Sequence, residues 1–262
     1  MKFSIITVCL NAGSDLAETV SSILNQTYDD YELIIKDGMS TDGSIEKLPQ
    51  DSHIRLYQCR DSGIYDAMNQ GIREATGDYS IFINAGDRLY CEKTLVEIAE
   101  FIEKNIGGDF YYGKSHTVSS GVINYAPEKI DKYYCYRTTM CHQAMVIKTS
   151  FLKNRGYNTD YRITADREWM VYGFVEAKMK FIRMPMFVSE YKGEGVSYGN
   201  DIYSTIKKET KMINRNFFTG FERLLFCSRK AVTLPWLRRL ISTNPKFKEK
   251  YYKLRYKYLS RE

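Results

Sequence analysis

The most informative stretch of the chain is segment 61–90, which reads DSGIYDAMNQGIREATGDYSIFINAGDRLY. Apolar and small residues recur in it at helical spacing, and the pattern then changes to a short apolar run at 79–83. We predict a helix, ended by Gly77, and then a buried strand that runs into Asp87. In open α/β sheets, ligands bind at this end of a strand. A plain turn is the alternative, since Gly and Asp are common turn formers.

The amino-terminal part of the chain has the pattern of a strand, a helix and a second strand. Residues 3–10 form a β-branched apolar run typical of a strand buried on both faces of a parallel sheet. Helical spacing follows over 15–26, with Ser14 or Asp15 available as the amino-terminal cap. A second strand at 31–36 completes a βαβ unit.

Polar residues follow three predicted strands at Asn11, Asp37 and Asp87. Because parallel strands bring these ends to one edge of the sheet, we predict a nucleotide-type site there. Neither GxGxxG after the first strand nor GxxxxGK[ST] occurs in the sequence. A carboxylate and a diphosphate repel each other, so this site calls for a cation, most simply a bridging divalent metal.

The second half of the chain is less regular. We predict a helix at 93–105, an aromatic-rich region from 109 onward, and strands at 144–147 and 181–188. Asp166 precedes a helical pattern, where it would serve either as a helix cap or as a functional carboxylate.

Size and composition restrict the class of protein. The 262 residues suit one α/β domain with an appendage, and no apolar run of spanning length occurs. The six cysteines show no CxxC spacing, which favours free thiols over disulfides or zinc ligands. The amino terminus lacks the pattern of a signal peptide, so we expect a protein on the cytoplasmic side.

The carboxyl-terminal segment 203–262 holds sixteen Lys and Arg against four Glu, a net charge of +12, whereas the preceding residues are mildly acidic. Basic residues alternate there with apolar ones, which fits amphipathic helices on an anionic membrane surface. The alternative is a helical subdomain that packs on the core. A nucleic-acid partner is not expected, since no reading motif is present. A nucleotidyltransferase would need a basic glycine-rich loop after the first strand, and NAGSD has no Lys or Arg.

Five motifs occur in a fixed order: SIITVCLNAG, SILNQTYDDYELIIKDGMSTDGS, DSGIYDAMNQGIREATGDYSIFINAGD, CHQAMVI and ITADREW. With them the chain resembles a bacterial family 2 glycosyltransferase of the kind that builds surface polysaccharides. The resemblance implies an α/β GT-A fold, with a Rossmann-like, mainly parallel mixed sheet flanked by helices. It covers the predicted catalytic domain, 1–200, and leaves a basic helical tail, 201–262.

The resemblance also implies roles for individual residues on the donor side. Thr7, Asn11, Asp37 and Asp61 would surround the nucleoside, with Asp37 accepting a hydrogen bond from a uracil-like edge. Asp87 would be the last carboxylate of a DXD-like motif and would coordinate Mg or Mn against the diphosphate.

Three further positions complete the implied site. Asn84 and Gly86 stand where the family often has carboxylates, and both would lie at the nucleotide-sugar. His142 would lie near the donor or acceptor sugar, although a histidine before a strand is commonly structural.

Asp166 falls where the family has its general base. The implied reaction is inverting transfer from a nucleotide-sugar, a UDP-sugar, to a saccharide or polyprenyl-diphosphate-linked acceptor at the inner face of the cell membrane.

Overall fold

The structure is a computed structural model and describes residues 1–193 and 200–232. Its strands are β1 (Phe3–Cys9), β2 (Tyr31–Asp37), β3 (Ile54–Gln58), β4 (Tyr79–Phe82), β5 (Arg88–Leu89), β6 (Phe110–Thr117), β7 (Val122–Asn124), β8 (Met145–Lys148) and β9 (Phe181–Tyr191). Its helices are α1 (Ser14–Leu24), α2 (Ile64–Glu74), α3 (Thr94–Lys104), α4 (Lys132–Arg137), α5 (Thr149–Arg155), α6 (Ala165–Val175), α7 (Asn200–Phe217) and α8 (Gly220–Val232).

The strands form one mixed sheet in the order β3-β2-β1-β4-β8-β6-β9-β5, and β7 pairs with β6. Strands β1 to β4 are mutually parallel, whereas β8 runs antiparallel to both of its neighbours. Strand β6 pairs in parallel with the long β9. The predicted fold class, an α/β sheet flanked by helices, is confirmed.

The register of the parallel strands creates the predicted edge. Cys9 at the end of β1 pairs with Asp37 at the end of β2. Beyond β4, the main-chain N–H of Ala85 donates to the carbonyl of Val8 over 3.4 Å. The polar residues that follow β1, β2 and β4 therefore lie at one level.

Two apolar layers cover the sheet because side chains alternate between its faces. Ile6 of β1 belongs to the core under α2 and α6, whereas Ile5 belongs to the core under α1 and α3. Both side chains are fully buried. Burial on both faces explains why β1 is apolar along its whole length.

Segment 61–90 folds as the predicted helix and strand, but α2 ends at Glu74 rather than at Gly77. Gly77 is required for another reason: a Cβ atom there would lie 2.7 Å from the main chain of Phe3 and Ser4. The predicted cap of α1 is also wrong. Gly13 occupies that position, and no side chain caps the helix.

Helices α7 and α8 pack on the core. Ile213, Phe218 and Phe226 are buried in the same cluster as Trp169 of α6. Of the two alternatives for the tail, packing on the core therefore applies to α7 and α8. The domain boundary at residue 200 remains a prediction. Residues 233–262 lie outside the described part. No helix within the described residues combines the length and apolar character needed to cross a membrane.

Candidate active site

The loops that follow β1 and β2 are joined by hydrogen bonds. The Asn11 amide oxygen accepts from the N–H of Thr41 at 2.9 Å, and the N–H of Asn11 donates to the Ser40 hydroxyl at 2.7 Å. Asn11 has a φ of 50°, a conformation that Asn tolerates better than most residues. Its exposed side chain thus lies at the sheet edge, as predicted, and it holds the second loop in place.

Asp37 is fully buried at the base of these loops. Its carboxylate accepts from the N–H and hydroxyl of Ser40 and from the amide of Gln58. Burial alone would raise the pKa of Asp37, but these hydrogen bonds hold it below its ordinary value. In this structure Asp37 orders the loop, and its predicted contact with a base remains a prediction.

Asp61 lies beside the end of β2, next to Gly38. Its Oδ2 atom accepts from Nζ of Lys36 at 2.7 Å, and Lys36 has only 1% of its side chain exposed. A Cβ atom on Gly38 would lie 3.0 Å from the same carboxylate oxygen. Asp37 and Asp61, both predicted to lie around the nucleoside, are therefore next to Gly38. Lys36, which sequence reasoning did not single out, binds Asp61 there.

The structure places Thr7 in the sheet interior. The side chain is fully buried, and its hydroxyl donates to the carbonyl of Ile83 at 2.7 Å. This bond ties β1 to the segment that follows β4. The Thr7 side chain therefore does not reach the surface of the site, contrary to its expected place around the nucleoside.

Asp87 is 4% exposed, and both carboxylate oxygens are hydrogen-bonded. Oδ2 accepts from Nε2 of Gln143 at 2.7 Å, and Oδ1 accepts from the main-chain N–H of Lys192 at 3.2 Å. Burial raises the pKa of Asp87 above its ordinary value, although the bond from Gln143 opposes the shift. The carboxylate thus joins β4, the turn before β8 and the end of β9.

Gln143 has a fixed orientation. The Cys141 thiol donates to its Oε1 atom over 2.8 Å, so that the amide nitrogen faces Asp87. Burial raises the pKa of Cys141 to about 12, which keeps the thiol protonated as a donor.

A line of polar contacts connects β4 with α6. Nδ2 of Asn84 lies 3.2 Å from Nε2 of His142, and Nδ1 of His142 lies 3.9 Å from Oδ2 of Asp166. The Tyr65 hydroxyl lies 3.1 Å from Oδ1 of Asp166. Burial raises the pKa of Tyr65 well above its ordinary value, so this phenol remains a donor. The structure therefore brings three predicted site residues together.

Asp166 is not the cap of its helix. Thr164 occupies the cap position of α6, and Asp166 lies in the first turn. The N–H groups of this loop are instead satisfied by α7, since Glu209 accepts from the N–H of Arg162, Ile163 and Thr164 at 2.8, 3.2 and 2.9 Å. The carboxylate of Asp166 is thereby left to face His142 and Tyr65.

Among the described residues, two side chains in the segment that follows β4 bear oxygens that could bind a divalent metal. Asp87 offers one carboxylate, and the buried Oδ1 of Asn84 has no hydrogen-bond partner. In the part of the chain that the structure describes, no three His, Cys, Asp or Glu side chains form a metal-binding group. These two residues fit a metal that draws its remaining ligands from a diphosphate and water, as Mg²⁺ commonly does.

A cavity of about 310 Å³ lies next to Cys141, the thiol partner of Gln143. Its lining includes Thr117, Asn124, Thr139 and Cys141. Hydroxyl and amide groups of this kind can form hydrogen bonds with a sugar.

Sequence reasoning missed Lys36, Lys192 and Glu209 and assigned no role to Gln143. The signal for Gln143 was its place in CHQAMVI beside His142. Lys192 and Glu209 carry no local signal, because they reach their partners over 105 and at least 45 residues of chain.

Comparison with known proteins gives one consistent answer. The family model described as "Glycosyl transferase family 2" matches residues 4–191. A "PGL/p-HBAD biosynthesis glycosyltransferase" of Mycobacterium bovis is 31% identical over 199 residues, covering 74% of this chain and 77% of that protein.

Solved structures agree with this assignment at the level of the fold. S. aureus TarS 1-349 in complex with UDP-GlcNAc superposes with a TM-score of 0.64 at 17% identity, covering 94% of this chain and 74% of that one. The mannosyltransferase PcManGT from Pyrobaculum calidifontis, in complex with GDP-Man and Mn2+, gives 0.55 at 16% identity, covering 96% and 84%. The chain therefore belongs to glycosyl transferase family 2.

Proposed function

We propose that the protein is an inverting glycosyltransferase that moves a hexosyl group from a UDP-sugar to a saccharide acceptor during surface polysaccharide synthesis. The observation that carries this proposal is the line from Asn84 through His142 to Asp166. It puts a carboxylate of α6 beside the strand end that bears Asp87. Asp87, the carboxylate proposed to bind the sugar donor, and Asp166, the candidate base, therefore lie along one edge of the sheet.

Asp166 is the candidate general base. Its Oδ1 is near the Tyr65 hydroxyl, and its side chain keeps 15% of its surface exposed. It would take the proton from the acceptor hydroxyl as that oxygen attacks the anomeric carbon. Attack from the face opposite the leaving diphosphate is a single displacement and inverts the anomeric configuration.

Asp87 and Asn84 would hold a divalent metal, Mg or Mn, together with the donor. When bound, such a metal stabilises charge that develops on the leaving diphosphate. The support comes from the oxygens of these two residues and from a fold neighbour, PcManGT, that is solved in complex with Mn2+. Gln143 would keep the Asp87 carboxylate oriented through its hydrogen bond.

The acceptor side is proposed to be the cavity lined by Thr117, Asn124 and Thr139. A polyprenyl-diphosphate-linked saccharide as acceptor would require the enzyme to work at a membrane surface. Helix α8 supports this location, because Phe221, Leu224 and Leu225 are 76%, 71% and 51% exposed at i, i+3 and i+4 spacing. The positive charge of 203–262 would favour the anionic inner leaflet.

A panel of UDP-sugars tests this proposal, with and without Mn. We expect one UDP-sugar to raise the melting temperature and to be slowly hydrolysed, since a bound ligand stabilises the folded state by mass action. GDP-mannose serves as a comparison donor, because PcManGT is solved with it. Absence of stabilisation or hydrolysis with every nucleotide-sugar would contradict the proposal.

A further inference from the structure

The position of Gly86 is closely covered by two charged side chains. A Cβ atom on this glycine would lie 3.4 Å from Cδ of Lys192 and 3.4 Å from Oδ2 of Asp15. Gly86 also has a φ of +97°, which disfavours any residue with a side chain. The family resemblance implies a carboxylate at this position. In this chain, the aliphatic part of the Lys192 side chain lies there instead.

Lys192 is held at this place by its main chain. It directly follows β9, and its N–H donates to Oδ1 of Asp87 at 3.2 Å. The Nζ atom lies 2.7 and 2.8 Å from the two carboxylate oxygens of Asp15. The ammonium group is thus held by Asp15, the main chain of the same lysine is bonded to Asp87, and 40% of the Lys192 side chain is exposed.

The charges at this site point to a role for the ammonium group of Lys192 in binding an anion. A diphosphate would bring several further negative charges to a place that already holds the carboxylates of Asp87 and Asp15, so it needs cations there. A lysine ammonium pairs with phosphate oxygens as a point charge. Since a half-exposed ion pair contributes little to stability, exchanging Asp15 for a phosphate oxygen costs little.

We propose that Lys192 binds the diphosphate of the donor and stabilises the nucleoside diphosphate as it leaves. Asp15 holds the ammonium while the site lacks an anion. Lys192 then supplies positive charge where the family has a further carboxylate for a metal, so nucleotide binding is less dependent on the metal. This inference rests on the proposed function.

Calorimetric titration of the full chain with UDP and with uridine, in excess EDTA, tests the proposal. Lys192→Met should weaken UDP binding by about 10- to 100-fold, the range of one charge-assisted hydrogen bond. It should leave uridine binding unchanged, because uridine has no phosphate. Lys192→Arg should retain UDP binding, and Asp15→Asn should bind UDP at least as tightly as the wild type. Lys207→Met, at an exposed lysine of α7, is the matched control.

Two results would overturn the role of Lys192: UDP affinity of Lys192→Met equal to that of the wild type, or equal losses for UDP and uridine, which indicate a structural effect. A wild-type protein that binds no nucleoside diphosphate, even with Mn, gives a different result and removes the proposed function itself.

Discussion

Nδ1 of His142 lies 3.9 Å from Oδ2 of Asp166, although the two residues belong to different elements, the turn before β8 and the first turn of α6. The other ring nitrogen of His142 faces Asn84, at the end of β4. His142 therefore lies between Asp166, the candidate base, and the end of β4, which leads to Asp87. The arrangement favours a functional place for His142 over a purely structural one.

Replacing Asp166 by Asn should lower turnover by ~10²- to 10⁴-fold, the usual contribution of a general base. Binding of the donor should change little, because Asn keeps an oxygen for the Tyr65 hydroxyl. Steady-state kinetics and UDP titration measure the two effects, and Asp160→Asn, at an exposed aspartate, is the control. Loss of donor affinity in parallel with turnover would instead assign Asp166 a structural role.

Asp87→Ala should bind the UDP-sugar weakly, and added Mn or Mg should not restore the affinity, because the carboxylate ligand is gone. Titration of donor binding against metal concentration measures this. Asp87→Asn tests the negative charge alone, since the asparagine is of similar size and keeps an acceptor oxygen for Gln143. Full wild-type activity after exhaustive chelation would remove the metal from the mechanism.

Glu209→Ala should lower the free energy of unfolding by roughly 2–4 kcal/mol. The buried Glu209 carboxylate accepts from the main-chain N–H groups of the loop before α6, and the substitution leaves them without this acceptor. Turnover should fall as well, since the released loop leads into Asp166. Glu209→Gln keeps one acceptor oxygen and should lose less. Urea unfolding measures the change, with the exposed Glu46→Ala as control. Unchanged stability in Glu209→Ala would show that water replaces the carboxylate.

Changing Phe221, Leu224 and Leu225 of α8 to Ser should reduce co-sedimentation with anionic vesicles, because these exposed side chains would supply the buried apolar area. The exposed Tyr203→Ser of α7 is the control. A chain lacking residues 233–262 measures the contribution of the basic segment. Equal sedimentation of all variants and the wild type would contradict membrane docking.

The sequence was sufficient for the periodic elements. Because burial on one or both faces leaves a clear pattern, strand β1 was predicted to within a residue of its observed bounds and helix α2 was predicted in place. Helix α2 ends at Glu74 rather than at Gly77. The β6–β7 hairpin was missed. Its buried aromatic run, Phe110, Tyr111 and Tyr112, is short and continues into Gly113 and polar residues, so it lacks the long apolar pattern that marks β1.

The site was predictable in its position but not in its contacts. Parallel strand ends placed Asn11, Asp37 and Asp87 at one edge from local pattern alone. The bonds from Gln143 to Asp87 and from Glu209 to Thr164 join distant parts of the chain and depend on how β8 and α7 pack. The burial of Thr7 was likewise not visible, because its hydroxyl bonds to the carbonyl of Ile83, which lies 76 residues away along the chain.

The anomeric configuration of the product tests the proposed single displacement most directly. The enzyme is incubated with the UDP-sugar that stabilises it and with a polyprenyl-diphosphate-linked saccharide, and the new linkage is assigned by NMR. We predict transfer with inversion, an α-linked donor giving a β-linked product, and loss of that product with Asp166→Asn. A product that retains the donor configuration would contradict single displacement with Asp166 as base.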